Sequence, residues 1–228
     1  QNLYLYSLSG MTLGNFILLM LPYALLSLIG LLVASVILMD RKVVTVKVQA
    51  NASLADREKK KAIVYLLLFL FALTTVTHII SVYIVGAVIL LVVLLMDYKM
   101  IGKADYALLL TFIFLFIFIG NMKRIPEISL WLSNIIQGQE LLTSVLASQV
   151  ISNVPAAILL SGFTANISTL IIGVNLGGLG TIIASMASLI SFKYYGKTEG
   201  KRNGAYLGVF TLLNLIFLIM LLILHYLI

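Results

Sequence analysis

Gln149-Val-Ile-Ser-Asn-Val-Pro-Ala-Ala157 is the stretch on which the reading of this chain turns. Pro155 is the only proline after Pro126; it falls within a strongly apolar run and follows directly on Ser152-Asn153. A bilayer offers no water to a broken backbone, so a helix interruption at depth survives only where it lines a cavity or packs inside protein. Pro155 removes a backbone donor and clashes with the preceding turn, and it pushes Val154 toward extended geometry. One half-helix is therefore expected to end near Ile151 and a second to start near Pro155, a residue suited to a first helical turn. Ser152 and Asn153 are left between them with free carbonyls, a hydroxyl and an amide, facing the positive end of the second half-helix. Such groups suit Na⁺ or a hydrogen-bonded anion. The competing reading is a proline-kinked helix whose Ser and Asn hold neighbouring helices together.

Composition sets the class. The chain is 62% hydrophobic and only 10% charged, with a mean hydropathy of +1.15, whereas a soluble domain carries about a quarter charged residues. Its apolar runs are continuous and long enough for helices, which need about 20 residues to span; a barrel would alternate in ten-residue pieces. An all-α polytopic membrane protein follows. There is no cysteine, so disulfides and thiolate chemistry are excluded. His78 and His225 stand alone and read as structural or interfacial.

Apolar runs and charge clusters divide the chain. A short apolar-aromatic piece occupies 1–12, a transmembrane helix 13–39, and a polar basic loop 40–61. Three helices over 62–121 follow, then a connector at 122–139 and an apolar stretch at 140–164. A glycine-interrupted span covers 165–192, and a final helix covers 205–228. The net charge of +7 raises the possibility of a nucleic-acid partner, but its distribution points to membrane sidedness. Seven of the fifteen Lys/Arg lie in loop 40–61, two at Lys99 and Lys103, and four at Lys193, Lys197, Lys201 and Arg202. With these loops cytoplasmic, only Lys123 and Arg124 lie outside, thirteen against two, as the positive-inside rule requires. Span 165–192 must then return to the cytoplasmic side that helix 106–121 left. Stretch 140–164 has to enter and leave on the external face. About 25 residues cannot cross twice, since each crossing needs about 20. A re-entrant hairpin with its tip near Ser152–Pro155 satisfies both length and charge.

Gly173-Val-Asn-Leu-Gly-Gly-Leu-Gly-Thr181 lies in the middle of the next span. Each glycine costs a continuous helix about 1 kcal/mol relative to alanine, which suggests an unwound linker between half-helices. No Lys-Ser/Thr follows to make it a phosphate loop, and the alternative is close packing through small residues. A polar tip meeting an unwound linker is a binding arrangement of secondary transporters. Apart from Glu140, the apolar runs hold no Asp, Glu, Lys or Arg, the residues that usually relay protons in a membrane. No nucleophile–base pair or carboxylate pair lies in them, so an enzyme is not expected.

Ser152-Asn153-Val154-Pro155-Ala156, followed by Asn175-Leu-Gly-Gly-Leu-Gly-Thr181, resembles the second half of a permease of the ion transporter superfamily. That group includes citrate transporter-like proteins, divalent anion:sodium symporters and arsenite permeases. The resemblance covers the whole chain, and Val154-Pro155 is nearer the arsenite and citrate-like branches than the Thr of sodium-coupled dicarboxylate members. Thr181-Ile-Ile-Ala-Ser185 stands where dicarboxylate carriers have a proline-containing pattern.

The resemblance implies the second inverted repeat of an elevator-type transporter, acting as a homodimer in the inner membrane of a prokaryote, with its basic loops cytoplasmic. Its partners would be membrane lipids and a small anionic or oxyacid substrate, with no nucleic acid and no organic cofactor. The substrate and ion site would comprise Ser152, Asn153, Val154, Pro155, Asn175, Gly177, Gly178, Gly180, Thr181 and Ser185. Na⁺, as coupling ion, would be held through Ser152, Asn153, Asn175 and Gly178. Gln1-Asn2-Leu3 looks like the tail of the first half's linker, which adds Asn2 to the site and places an N-terminal half upstream. A cation/proton antiporter of the same superfamily and a non-transporting membrane subunit are the alternatives.

Overall fold

The structure is a computed structural model that describes residues 1–38, 56–76, 80–198 and 200–228. Most of the basic loop expected at 40–61, and His78, lie outside the described residues. The described residues form eleven helices and no strand. They fall into two compact units, Gln1–Ile37 with Ala107–Ile228, and Leu38–Tyr106.

In the first unit α1 (Asn2–Ser9) is closed by Gly10 in the left-handed conformation, with φ 64°. The long α2 (Leu13–Leu38) follows. The second unit contains α3 (Asp56–Leu73) and α4 (Val82–Ile101), packed together. Lys61 and Asp97 pair at 2.9 Å where Asp97 breaks the helical backbone of α4; exposed pairs of this kind add little stability.

The first unit resumes with α5 (Tyr106–Lys123) and α6 (Pro126–Ile136). Between them the chain bends by 101°, at Ile125-Pro126, where proline cannot extend the preceding helix. Next come α7 (Glu140–Ile151), α8 (Asn153–Leu160), α9 (Ile167–Leu176), α10 (Met186–Tyr195) and α11 (Asn203–Leu227). Among the described residues α2, α4 and α11 are long and apolar enough to cross a membrane, and a fourth span arises if α5 and α6 count as one. Most of their bulky side chains point outward, Leu18 at 66% and Ile37 at 73% exposure among them, as expected of helices solvated by lipid.

The core is built around α9. One face places Leu170, Ile171 and Val174 against Leu5 of α1, Ile136 of α6 and Ala157 of α8. The other places Ile172 and Leu176 against Leu141 and Val145 of α7, Tyr23 of α2 and Leu218 of α11. Ten residues at 1.5 Å each reach only about 15 Å, half the hydrocarbon thickness. The innermost helix is thus a half-span enclosed by protein. His225 is tied into the packing as well, with its Nδ1 2.7 Å from the Tyr23 hydroxyl, linking α2 to α11.

α7 approaches α9 closely because two glycines a turn apart face two serines a turn apart. A Cβ on Gly177 would sit 2.6 Å from Ser148 Oγ, and one on Gly173 would collide with Ser144 Oγ. Both serines are fully buried, and they satisfy their hydroxyls within α7, Ser148 donating to the Ser144 carbonyl at 2.7 Å. Small residues that let backbones approach are how helices associate when lipid removes the hydrophobic drive.

Candidate functional site

α7 and α8 form a hairpin around a single residue. α7 ends at Ile151, α8 begins at Asn153, and Ser152 caps both. Its backbone stands at φ 71°, ψ 152°, a region occupied almost only by glycine and costing another residue about 1–3 kcal/mol. Ser152 is the only described residue other than glycine with positive φ. The chain doubles back, so that Thr164, after α8, donates from its hydroxyl to Oε1 of Glu140, the first residue of α7, at 2.9 Å. Glu140 is buried there, in the first turn of α7, where the helix favours negative charge.

The glycine-rich segment after α9 is not regular helix. α9 stops at Leu176, and the chain runs without regular helix through Gly177–Ala184 until Ser185 caps α10, its hydroxyl accepting from Ala187 N–H. Gly180, at φ 112°, supplies a conformation that a side chain would resist. Tip and linker meet at Ala184, whose carbonyl accepts the Asn153 N–H at 2.9 Å and the Ser152 hydroxyl at 3.4 Å. The N-terminal ends of the half-helices α8 and α10 therefore converge, and with them two positive dipole ends.

Asn153 is only 9% exposed. Its side-chain amide has no hydrogen-bond partner among the described residues, and it faces Gly178, where a Cβ would lie 2.7 Å from its Nδ2. The Ser152 carbonyl, expected to be free, accepts from Ala156 N–H at 3.0 Å because α8 starts two residues before Pro155. Pro155 thus stands in the first turn of α8, where no N–H is required, and Val154 packs against the hydrophobic core.

Gln149, absent from the expected site, ties tip to linker. Its Nε2 donates to the carbonyls of Gly177 and Leu179, each at 2.9 Å. Its Oε1 accepts the Thr181 N–H at 2.8 Å, and the Thr181 hydroxyl reaches the Gln149 carbonyl at 3.4 Å. The Gly177 carbonyl is accordingly occupied by an amide in this conformation. A polar amide inside an apolar run, four residues before Asn153, was the available signal. Asn175 and Asn2 form a separate group. Their amides are paired reciprocally, at 2.7 and 3.1 Å, and no hydrogen bond links that pair to the tip among the described residues.

No family model matches the chain, and no solved structure matches it. It is 33% identical over 223 residues to the uncharacterized transporter MJ0456 of Methanocaldococcus jannaschii, covering 96% of this chain and 59% of that protein. It is 35% identical over 98 residues to the inner membrane protein YbiR of Escherichia coli K12, covering 42% of this chain and 26% of that one. The chain spans less than two thirds of either relative. Its long apolar helices and these relatives mark it as an integral membrane protein.

Proposed function

We propose that this chain belongs to a secondary transporter that carries a small anion or oxyacid, of the citrate, dicarboxylate or arsenite class, with Na⁺ as coupling ion. The observation that carries this reading is the Ser152–Asn153 tip: a strained backbone beside the α9–α10 linker, with an Asn153 side-chain amide that makes no hydrogen bond among the described residues. Converging N-terminal ends of α8 and α10 favour an anion there. Oxygens at Ser152, Asn153 and the linker favour a desolvated Na⁺. The similarity to a protein named as a transporter agrees with it. In this mechanism the hairpin and broken helix move together, an elevator step against a dimer scaffold, and carry the occupied tip across the membrane.

The glycine–serine packing of α7 on α9 would serve equally well in a non-transporting subunit, and a proton-coupled antiporter would have Glu140 as the one carboxylate within the apolar runs of this chain. Transport separates the three. The full-length protein in proteoliposomes is tested with citrate, succinate, arsenite and sulfate, with and without a Na⁺ gradient. Asn153→Ala is expected to lower uptake about 10- to 100-fold, the loss of one hydrogen bond to a charged group, with expression unchanged. Unaltered uptake in both Asn153→Ala and Ser152→Ala would remove the tip from the site.

A further inference from the structure

The turn between α10 and α11 joins features that the transport reading does not use. Lys193, Lys197, Lys201 and Arg202 fall within ten residues, and all four are exposed. No ion pair engages any of them among the described residues; Glu199 is the one carboxylate in this part of the sequence. Beside them an apolar groove of about 370 Å³ is lined by Tyr195, Ala205, Tyr206, Val209, Phe210 and Leu213.

The groove is held in shape by its aromatic wall. The Tyr195 and Tyr206 rings stack at 4.4 Å, and Tyr206 continues to Phe210 at 5.8 Å. The Tyr206 hydroxyl lies 2.7 Å from Ser191 Oγ, which fixes the ring across the two helices. The Tyr195 hydroxyl accepts Arg202 N–H at 3.0 Å, and Lys201 Nζ donates to the Gly196 carbonyl at 2.8 Å. Both bonds draw the cationic segment onto the end of α10. The Lys197 ammonium stands over the Tyr194 ring at 5.4 Å. Tyrosines and cations in this combination belong at the level of lipid headgroups, and basic pockets at helix ends bind anionic lipid.

We propose that this turn binds one anionic phospholipid, its phosphate against Lys197, Lys201 and Arg202 and one acyl chain in the Tyr195–Leu213 groove. A membrane partner fits better than a free anion because the cations border an apolar groove with no polar floor. The site is independent of the Ser152–Asn153 tip, so it stands or falls without reference to transport.

The test uses the full-length protein in mild detergent, with native mass spectrometry in palmitoyl-oleoyl phosphatidylglycerol or phosphatidylcholine. Wild type should retain phosphatidylglycerol roughly tenfold better than phosphatidylcholine. The triple variant Lys197→Gln, Lys201→Gln, Arg202→Gln should hold one phosphatidylglycerol fewer at an unchanged melting temperature. Tyr206→Ser, which opens the groove wall, should weaken retention of the same lipid with the cations intact. Equal retention of both lipids by wild type, or the same lipid count in the triple variant, overturns the proposal. So does displacement of the lipid by inorganic phosphate but not by chloride at equal ionic strength, which would assign the turn to a free anion.

Discussion

Ser152 occupies a backbone region that an L side chain enters only at a cost, and it does so beside Asn153, whose side-chain amide makes no hydrogen bond among the described residues. Ser152→Gly removes the strain and is expected to stabilise the protein by about 1–2 kcal/mol, within the cost assigned to such residues. Ser152→Ala keeps the Cβ and should leave stability close to wild type while removing the hydroxyl. Thermal unfolding of both variants in detergent reads the difference; equal melting temperatures would mean that the tip relaxes and stores no strain. The break at this tip was legible in Ser-Asn-Val-Pro, because proline acts on its own neighbours. The positive φ was not. It is imposed by Ala184, 32 residues away, whose carbonyl captures the Asn153 N–H and the Ser152 hydroxyl.

Among the elements, the glycines of the span after the hairpin divide by role. Gly173 and Gly177 meet α7 at Ser144 and Ser148, whereas Gly178 and Gly180 lie in the linker against Asn153 and Gln149. Gly177 serves in both ways, packed on Ser148 and opening the linker. Gly177→Ala should destabilise by about 1–3 kcal/mol through overpacking. Gly208→Ala on α11, where a Cβ meets nothing within 4 Å, should be neutral or stabilise by up to about 1 kcal/mol. Chemical or thermal unfolding of the pair checks this, and a harmless Gly177→Ala would contradict the close α7–α9 contact. Gln149 makes its bonds to carbonyls about thirty residues on, and an amide in an apolar run does not reveal its partner.

For the whole molecule, loop charge predicts sidedness. The chain has no cysteine, so single cysteines can be introduced without background from it. Arg124→Cys, after α5, should react with a membrane-impermeant maleimide from the outside of intact cells. Lys201→Cys, between α10 and α11, should react only after permeabilisation. Labelling of both from one side would refute the hairpin topology argued from charge, since α7 and α8 would then have to be placed differently.

The sequence by itself determined the helical membrane class, an interruption beside Ser152 and the glycine-rich stretch after α9. These follow from composition and from residues acting on the backbone next to them. Tertiary structure decided that the two interruptions meet at Ala184, that Gln149 bridges them, that the Asn153 side chain lies against Gly178, and that α9 lies at the centre. Those depend on packing between segments distant in the chain, where hydrogen bonds are satisfied by whichever backbone the fold brings near, and no local pattern records that choice.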